Sequence, residues 1–277
     1  MAKLSKELFM AKIEKGLKEK RFDVEKRQLY KTNQTYTGLV ITGKESSGQR
    51  LSPVINVDAL HTDYVKNGWI ISDVIEFLLK AVKKGPEENP DIIKRLNDFE
   101  YVKQHLVIEL YDSSRNISFL KKYVHRQIED LALVPKIILD ERNDDLTVCP
   151  VLHKYMNRCH ITEKELIDMA IQNSCRLRPA DILILEPECY AITNRQECYG
   201  AAAIFYPGIL DELYQVIGKF YILPISIHQC VVKSFNKEIS VLSLKDLLHE
   251  MRGSMIKKKE ELTDSIYLYN GMFKMIR

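Results

Sequence analysis

A chain of 277 residues that is 45% apolar, with 11 glycines and 9 prolines, is too rich in core-forming residues to be disordered or of low complexity. Its 41 Lys and Arg against 38 Asp and Glu give a net charge of +3, short of the strongly basic balance of a dedicated nucleic-acid binder. The length fits one large domain or two closely packed lobes.

Leu8, Phe9 and Met10 are soon followed by Lys12, Glu14 and Lys15, which is too short an apolar run for a secretory signal. No run of about 18 apolar residues occurs, so no membrane span is expected. With no route to an oxidising compartment, the six cysteines are expected to be reduced thiols in a cytoplasmic protein. The first 30 residues hold nine Lys and Arg against five acids, and Lys257, Lys258 and Lys259 form a second cluster. A solvated helix face accounts for the first.

Residues 5–20 carry Phe9, Met10, Ile13 and Leu17 on one side of a helix. Strands are expected at 24–31 and 36–42, with Asn33 and Gln34 in the turn, and another at Ser52–Val57 after a loop at Gly43–Gln49. A helix from about Asp73 to Lys84, capped by Ser72 and ended by Gly85 and Pro86, buries Ile71, Val74, Ile75, Leu78 and Val82. The polar, twice proline-broken segment Lys83–Pro90 is the expected boundary between lobes at 1–90 and 91–277.

Beyond it, strands at Leu131–Leu139 and Leu146–Cys149 flank a polar loop, Asp140–Asp145. Thr162 and Glu165, three apart, form a capping box ahead of a helix whose apolar side is Leu166, Ile167, Met169, Ala170 and Ile171. A strand at Tyr190–Thr193, an apolar stretch Ala201–Tyr206 and a helix 209–217 stopped by Gly218 follow. Strands Phe220–Leu223 and Ile227–Val232, a helix opened by Ser243 and Asp246 and closed by Gly253, and a strand Ile266–Tyr269 complete the chain. Segments 146–193 and 200–232 share a strand, helix, strand order without a recurring residue pattern, at most a weak repeat. These elements predict an α+β fold: a mixed sheet with flanking helices, and a smaller N-terminal helix, hairpin, helix lobe.

Successive cysteines stand 9 to 32 positions apart, so no pair has zinc-ligand spacing, and no metal is expected. Neither a P-loop nor a Gly-x-Gly-x-x-Gly fingerprint is present, so no nucleotide cofactor is supported. His228 and Cys230 alternate onto one face of an expected strand, where a base and a thiol could meet, but Ile227, Val231 and Val232 around them favour a packed strand. Ser226 lacks the Gly-x-Ser-x-Gly turn of a nucleophilic serine. The acid pairs Glu129 with Asp130 and Asp144 with Asp145 are expected to be solvated. Tyr267 and Tyr269 share a strand face that core packing explains better than base stacking.

The segments YVHRQIEDLALV (123–134), RLRPADI (176–182), YAITN (190–194), YGAAAIFYPGILDEL (199–213), FYILPISIHQCVV (220–232) and DSIYLYN (264–270) resemble a domain-of-unknown-function family common in clostridial Firmicutes. That family is itself distantly similar to the YtpQ-like proteins. The resemblance spans most of the chain, with specific motifs only after about residue 123, and implies a fold and a cytoplasmic bacterial setting rather than a reaction. The family pattern has small polar residues after the proline and an acid after the histidine. Ile225 and Gln229 depart from it and weaken a catalytic site centred on His228.

The expectation is therefore a binding or regulatory protein whose partner is another protein, with nucleic acid less favoured and no cofactor. Arg176, Asn194 and Tyr199 are the candidate ligand or partner contacts, lying near element ends where loops shape recognition surfaces. Turn formation accounts equally well for Asn194 and for the Tyr206, Pro207, Gly208 turn. The competing class is a hydrolase with His228, Ser226 and Arg176 gathered in one pocket, and a third is a nucleic-acid binder using the N-terminal lysines.

Overall fold

The computed structural model describes residues 3–31, 33–43, 54–84, 90–142 and 145–277. The chain divides into two compact units, Met1–Asn97 and Asp98–Arg277. The loop expected at Gly43–Gln49 lies almost wholly outside the described residues, as do Gly85, Pro86 and most of the expected boundary segment, and Asp144.

In the N-terminal unit, helix α1 (Lys6–Glu19) is capped by Ser5, whose side chain accepts the Leu8 N–H at 3.4 Å. Strands β1 (Phe22–Lys31) and β2 (Gln34–Gly43) form an antiparallel hairpin, and Asn33 at its turn sits at φ +54°. Strand β3 (Val54–Asn56) pairs with β2 and runs directly into α2 (Val57–Lys66), followed by α3 (Ile71–Lys84) and α4 (Pro90–Asn97). Phe9, Ile13 and Leu17 of α1 meet Leu39 and Ile41 of β2, Leu60 of α2 and Leu78 of α3 in one core. The lysines at 12, 15 and 18 remain on the exposed side of α1. Helix α3 starts ahead of Ser72, so Ser72 is not its cap. Asp73 reaches back to accept the Ile70 N–H at 3.0 Å instead.

The C-terminal unit opens with α5 (Phe99–His105) and β4 (Leu106–Asp112), then α6 (Ile117–Leu120), β5 (Arg126–Ile128), β6 (Leu131–Arg142) and β7 (Asp145–Pro150). Strand β6 pairs with β4 along one side and with β5 and β7 along the other. Helices α7 (His153–Cys159) and α8 (Glu163–Leu177) follow. The capping box of α8 is complete: the Thr162 N–H donates to Glu165 at 2.9 Å and the Glu165 N–H donates to Thr162 at 3.2 Å. Helix α8 covers the outer edge of β4, where the Ser174 hydroxyl accepts the Ile108 N–H at 2.8 Å and donates to Ala170 at 2.8 Å.

Strands β8 (Ala180–Glu186) and β9 (Cys189–Asn194) form a hairpin, then come a 3-10 turn (Gly200–Phe205), α9 (Ile209–Ile217), β10 (Phe220–Leu223), β11 (Cys230–Ser234), α10 (Val241–Arg252), β12 (Ile266–Tyr269) and β13 (Phe273–Ile276). These strands make a six-stranded sheet in the order β13-β12-β10-β11-β9-β8. Leu244 and Leu248 of α10 pack on Ala191, Leu223 and Val231 of this sheet.

The class is α+β, but the mixed sheet expected of the larger lobe is replaced by two sheets in which every described pairing is antiparallel. Most neighbouring strands are joined by short connections, which return the chain antiparallel. The suggested repeat dissolves, because β7 belongs to the four-stranded sheet and β8 to β11 to the other. Strand β11 begins at Cys230, not Ile227. Ser240 caps α10 by accepting the Ser243 N–H at 3.1 Å, three residues before the expected opening.

Two side chains tie the loops of this unit together. The Arg252 guanidinium, at the end of α10 and 3% exposed, donates to the carbonyls of Pro224 (3.0 Å), Ile225 (3.0 Å), Leu262 (3.1 Å) and Thr263 (2.7 Å) and pairs with Asp264. Asp130 is not solvated as expected of an acid pair: it accepts from Thr263 (2.6 Å), Ser265 (2.7 Å) and the Tyr267 hydroxyl. Tyr267 and Tyr269 are core residues, so they offer no stacking platform.

Truncating Arg252 to Ala strands buried carbonyls of two loops, and urea denaturation is expected to register a loss of about 3 kcal/mol or more. Arg252→Lys should recover less than half of it, because one ammonium cannot span both loops. A loss under about 1 kcal/mol would mean that the carbonyls find other donors.

Candidate functional site

Strand β9 ends at Asn194, and its buried side chain is spent on the turn that follows. Its Oδ1 accepts the N–H groups of Gln196 (3.1 Å) and Cys198 (3.3 Å), and its Nδ2 donates to the Cys198 carbonyl at 2.8 Å. The turn carries Glu197 and Tyr199 into the left-handed region at φ +51° and +55°. For a bulky aromatic residue that conformation costs on the order of 1 kcal/mol, so the surroundings must enforce it. Gly200 is part of that enforcement: a Cβ there would lie 2.4 Å from Thr193 Oγ1, 2.5 Å from the Asn194 nitrogen and 2.8 Å from the His228 carbonyl oxygen. No side chain fits.

The facing loop, 224–229, is fixed with equal economy. The Ser226 hydroxyl, fully buried, accepts the His228 N–H at 3.1 Å, and the Thr193 hydroxyl donates to the His228 carbonyl at 2.8 Å. The Ile227 N–H donates to the Glu260 carbonyl at 2.8 Å. His228 Nδ1 accepts the Tyr199 N–H at 3.1 Å, and the two rings lie 5.4 Å apart. A nitrogen that accepts carries no proton, so the neutral ring holds its proton on Nε2. Burial pushes the His228 pKa below its ordinary value, and Glu260 and Glu109 oppose the shift without reversing it.

Near Tyr199 lies a buried ion pair between Lys136 of β6 and Glu109 of β4. The ladder places Val134 opposite Glu109 and Val107 opposite Lys136, so both charges share one face of the sheet. Burial disfavours the ammonium, but the Glu109 charge and then the Tyr111 hydroxyl outweigh it, and the Lys136 pKa lies above its ordinary value. The Tyr111 hydroxyl donates to Glu109 Oε2 at 3.3 Å, and Lys136 Nζ lies 5.6 Å from the centre of the Tyr199 ring. Glu109 Oε1 is buried without a hydrogen-bond partner. Burial, reinforced by Glu109, raises the Tyr199 phenol.

Of the residues singled out in the sequence, His228, Ser226, Asn194 and Tyr199 thus meet in one constellation. Arg176 does not join it: it is exposed on the last turn of α8 and donates to the Gln104 carbonyl at 3.2 Å. The pairing of His228 with Cys230 on a strand face is overturned, since His228 lies in the loop before β11. Cys230 is fully buried, and burial pushes its thiol up to about 12. Lys136 and Glu109 escaped the sequence analysis, although a lone base in LALVPKIIL and a lone acid in LVIELY are the signature of a buried pair.

A second feature lies at the far end of the six-stranded sheet. Among the described residues strand β8 pairs only with β9, and on this strand Leu183, Ile184 and Leu185 are 40%, 77% and 49% exposed. The register slips between Ile184 and Glu186, which makes Leu185 the extra residue of a bulge. Beside it a recess of about 410 Å³ opens between the β8–β9 hairpin and α10, lined by Leu185, Glu186, Cys189, Leu247, Glu250 and Met251.

A family model described as a family of unknown function (DUF5688) matches residues 5–187 and 180–271, and the chain belongs to that family. No curated protein and no solved structure matches it. Among the described residues no helix is long and apolar enough to cross a membrane.

Lys136→Met leaves Glu109 buried and uncompensated, and urea denaturation should register a loss of about 3–5 kcal/mol, largely recovered when Glu109→Leu is added. A double variant as unstable as the single one would show that the pair itself, not the orphaned carboxylate, sets the cost. For His228 the folded pKa lies below the unfolded value of 6.5. The unfolded chain therefore binds a proton first, and stability falls as pH drops below about 6.5 and is level above it. In urea midpoints compared between pH 7.5 and 5.5, His228→Asn should remove part of the fall.

Proposed function

From membership of a family whose activity is open, we propose that the protein is a non-catalytic binding or regulatory protein that engages another protein through the edge of β8. The observation that carries this reading is the run Leu183, Ile184, Leu185 on a strand with one side unpaired. Single exposed apolar residues need no explanation, but three in succession on an open edge do. Edges are ordinarily blunted by lysine, proline or a bulge; Ala180–Glu186 contains neither lysine nor proline, and its bulge comes only at Leu185, near the end of the strand. A partner's extended segment can add to such an edge by main-chain hydrogen bonds, with affinity supplied by the strand and selectivity by the pockets beside it.

The chemistry-bearing residues support binding over hydrolysis. The Ser226 hydroxyl is buried and accepts from its own loop, the Asn194 side chain holds a turn, and Nδ1 of His228 is occupied by a backbone N–H. In this reading Tyr199 and Asn194 act as scaffold. Arg176, exposed on the last turn of α8, is kept as a peripheral contact. The burial of Tyr267 and Tyr269 favours a protein partner over nucleic acid. A cytoplasmic setting in Firmicutes, and kinship with the YtpQ-like proteins, belong to the same proposal. The six free cysteines suit that compartment.

Ile184→Lys tests the edge. At 77% exposure the change should leave stability within about 0.5 kcal/mol of the native chain. Affinity capture from native cell extract at moderate salt should lose its stoichiometric protein partner with this variant. Capture unaltered by Ile184→Lys would place the contact elsewhere and remove the reading.

A further inference from the structure

Resting on the reading of β8 as a partner-binding edge, we propose that the recess at its end selects a cationic partner: an extended segment that places an arginine or lysine between Glu186 and Glu250. Leu185, Leu247 and Met251, with the buried Cys189, give the recess its apolar lining. Both polar residues of the lining are carboxylates, and neither Lys nor Arg contributes to it. A lining that joins apolar side chains to carboxylates fits a side chain that is hydrocarbon along its stem and cationic at its tip.

The backbone supports the same assignment. Because the bulge inserts Leu185 as an extra residue, the alternation of β8 breaks there, and Leu185 is aimed at α10 to form one wall of the recess. A strand added along β8 would carry one of its own side chains past this wall. At about 410 Å³ the recess sits at the small end of the roughly 300–1,000 Å³ range of ligand pockets, and a long side chain enters it with room to spare.

Charge around the recess leaves room for a cation. Lys233 approaches Glu186 at 3.6 Å, while Glu250 has no ion-pair partner among the described residues. An arriving arginine can meet Glu250 with two parallel hydrogen bonds and share Glu186 with Lys233. The same charges argue against a second copy of the chain as occupant. Antiparallel pairing of two β8 strands about a point between Leu183 and Ile184 would set Asp181 of one copy opposite Glu186 of the other, and β8 holds no basic residue to relieve them.

The test is selection of peptides from a random ten-residue display library on the full-length chain at about 0.15 M salt, repeated on Ile184→Lys and on the double variant Glu186→Arg, Glu250→Arg. The expected result is enrichment of Arg or Lys at one position with apolar residues two places to either side. This preference should be lost on Ile184→Lys and turned to Asp or Glu on the charge-reversed double variant. For one enriched peptide, Glu250→Arg alone should weaken binding by about two- to fivefold, the size of one exposed ion pair. Apolar peptides that need Ile184 but show no charge preference would overturn the cationic assignment and leave the edge reading standing. Peptides recovered equally by Ile184→Lys would overturn both. A dimer abolished by Ile184→Lys in sedimentation would replace the cationic segment by a second copy.

Discussion

The loops of the larger unit are organised around one guanidinium. Arg252 ends α10 and fans its donors onto carbonyls of two chain segments, 224–225 and 262–263, with Asp264 balancing its charge. Neither segment belongs to a helix or a strand, so without it four carbonyls would lack a donor in a dry interior. Arginine suits the task because it presents five N–H donors in a plane and stays charged at any physiological pH. The position of the 224–229 loop, and with it the place of His228 against Tyr199, follows from that anchor.

The two sheets of this unit treat their edges in opposite ways. The outer edge of β4 is closed by α8, whose Ser174 takes up the Ile108 N–H, and every residue of β4 is buried. Among the described residues the outer edge of β8 has no strand paired to it, and the strand turns apolar where it is most exposed. An edge without such a cover presents free main-chain donors and acceptors, and the proposed partner contact rests on that contrast. The buried Lys136–Glu109 pair belongs to the sealed sheet and lies beneath the most constrained turn of the unit.

What the sequence disclosed is what local physics determines. The Thr162 and Glu165 box, the stripe of α1 and the stop at Gly218 depend on residues within a turn or two of one another, and each stands where the spacing places it. Strand β4 was missed because LVIELYD is buried on both faces and so lacks the alternation that marks a half-buried strand. Strand β8 was missed for the reverse reason: ADILILE is apolar where it is exposed, and pattern reasoning assigns apolar residues to a core. Of the candidate site, His228, Ser226, Asn194 and Tyr199 were legible as residues. Their meeting across 29 positions of chain, and the charge pair beneath them, are tertiary facts carried by no local motif.

The bonds from Asp130 to Thr263, Ser265 and Tyr267 join residues 133 to 137 positions apart, across most of the larger unit. Closing a loop of that length is entropically costly before any contact rewards it, and folds dominated by such distant pairings assemble slowly. Strand β13 joins the six-stranded sheet through β12, so without this distant segment the sheet ends at β10. Until the C-terminal strands join the sheet, β8 and β10 are its two edges, and the apolar run of β8 makes that edge a site where chains can aggregate.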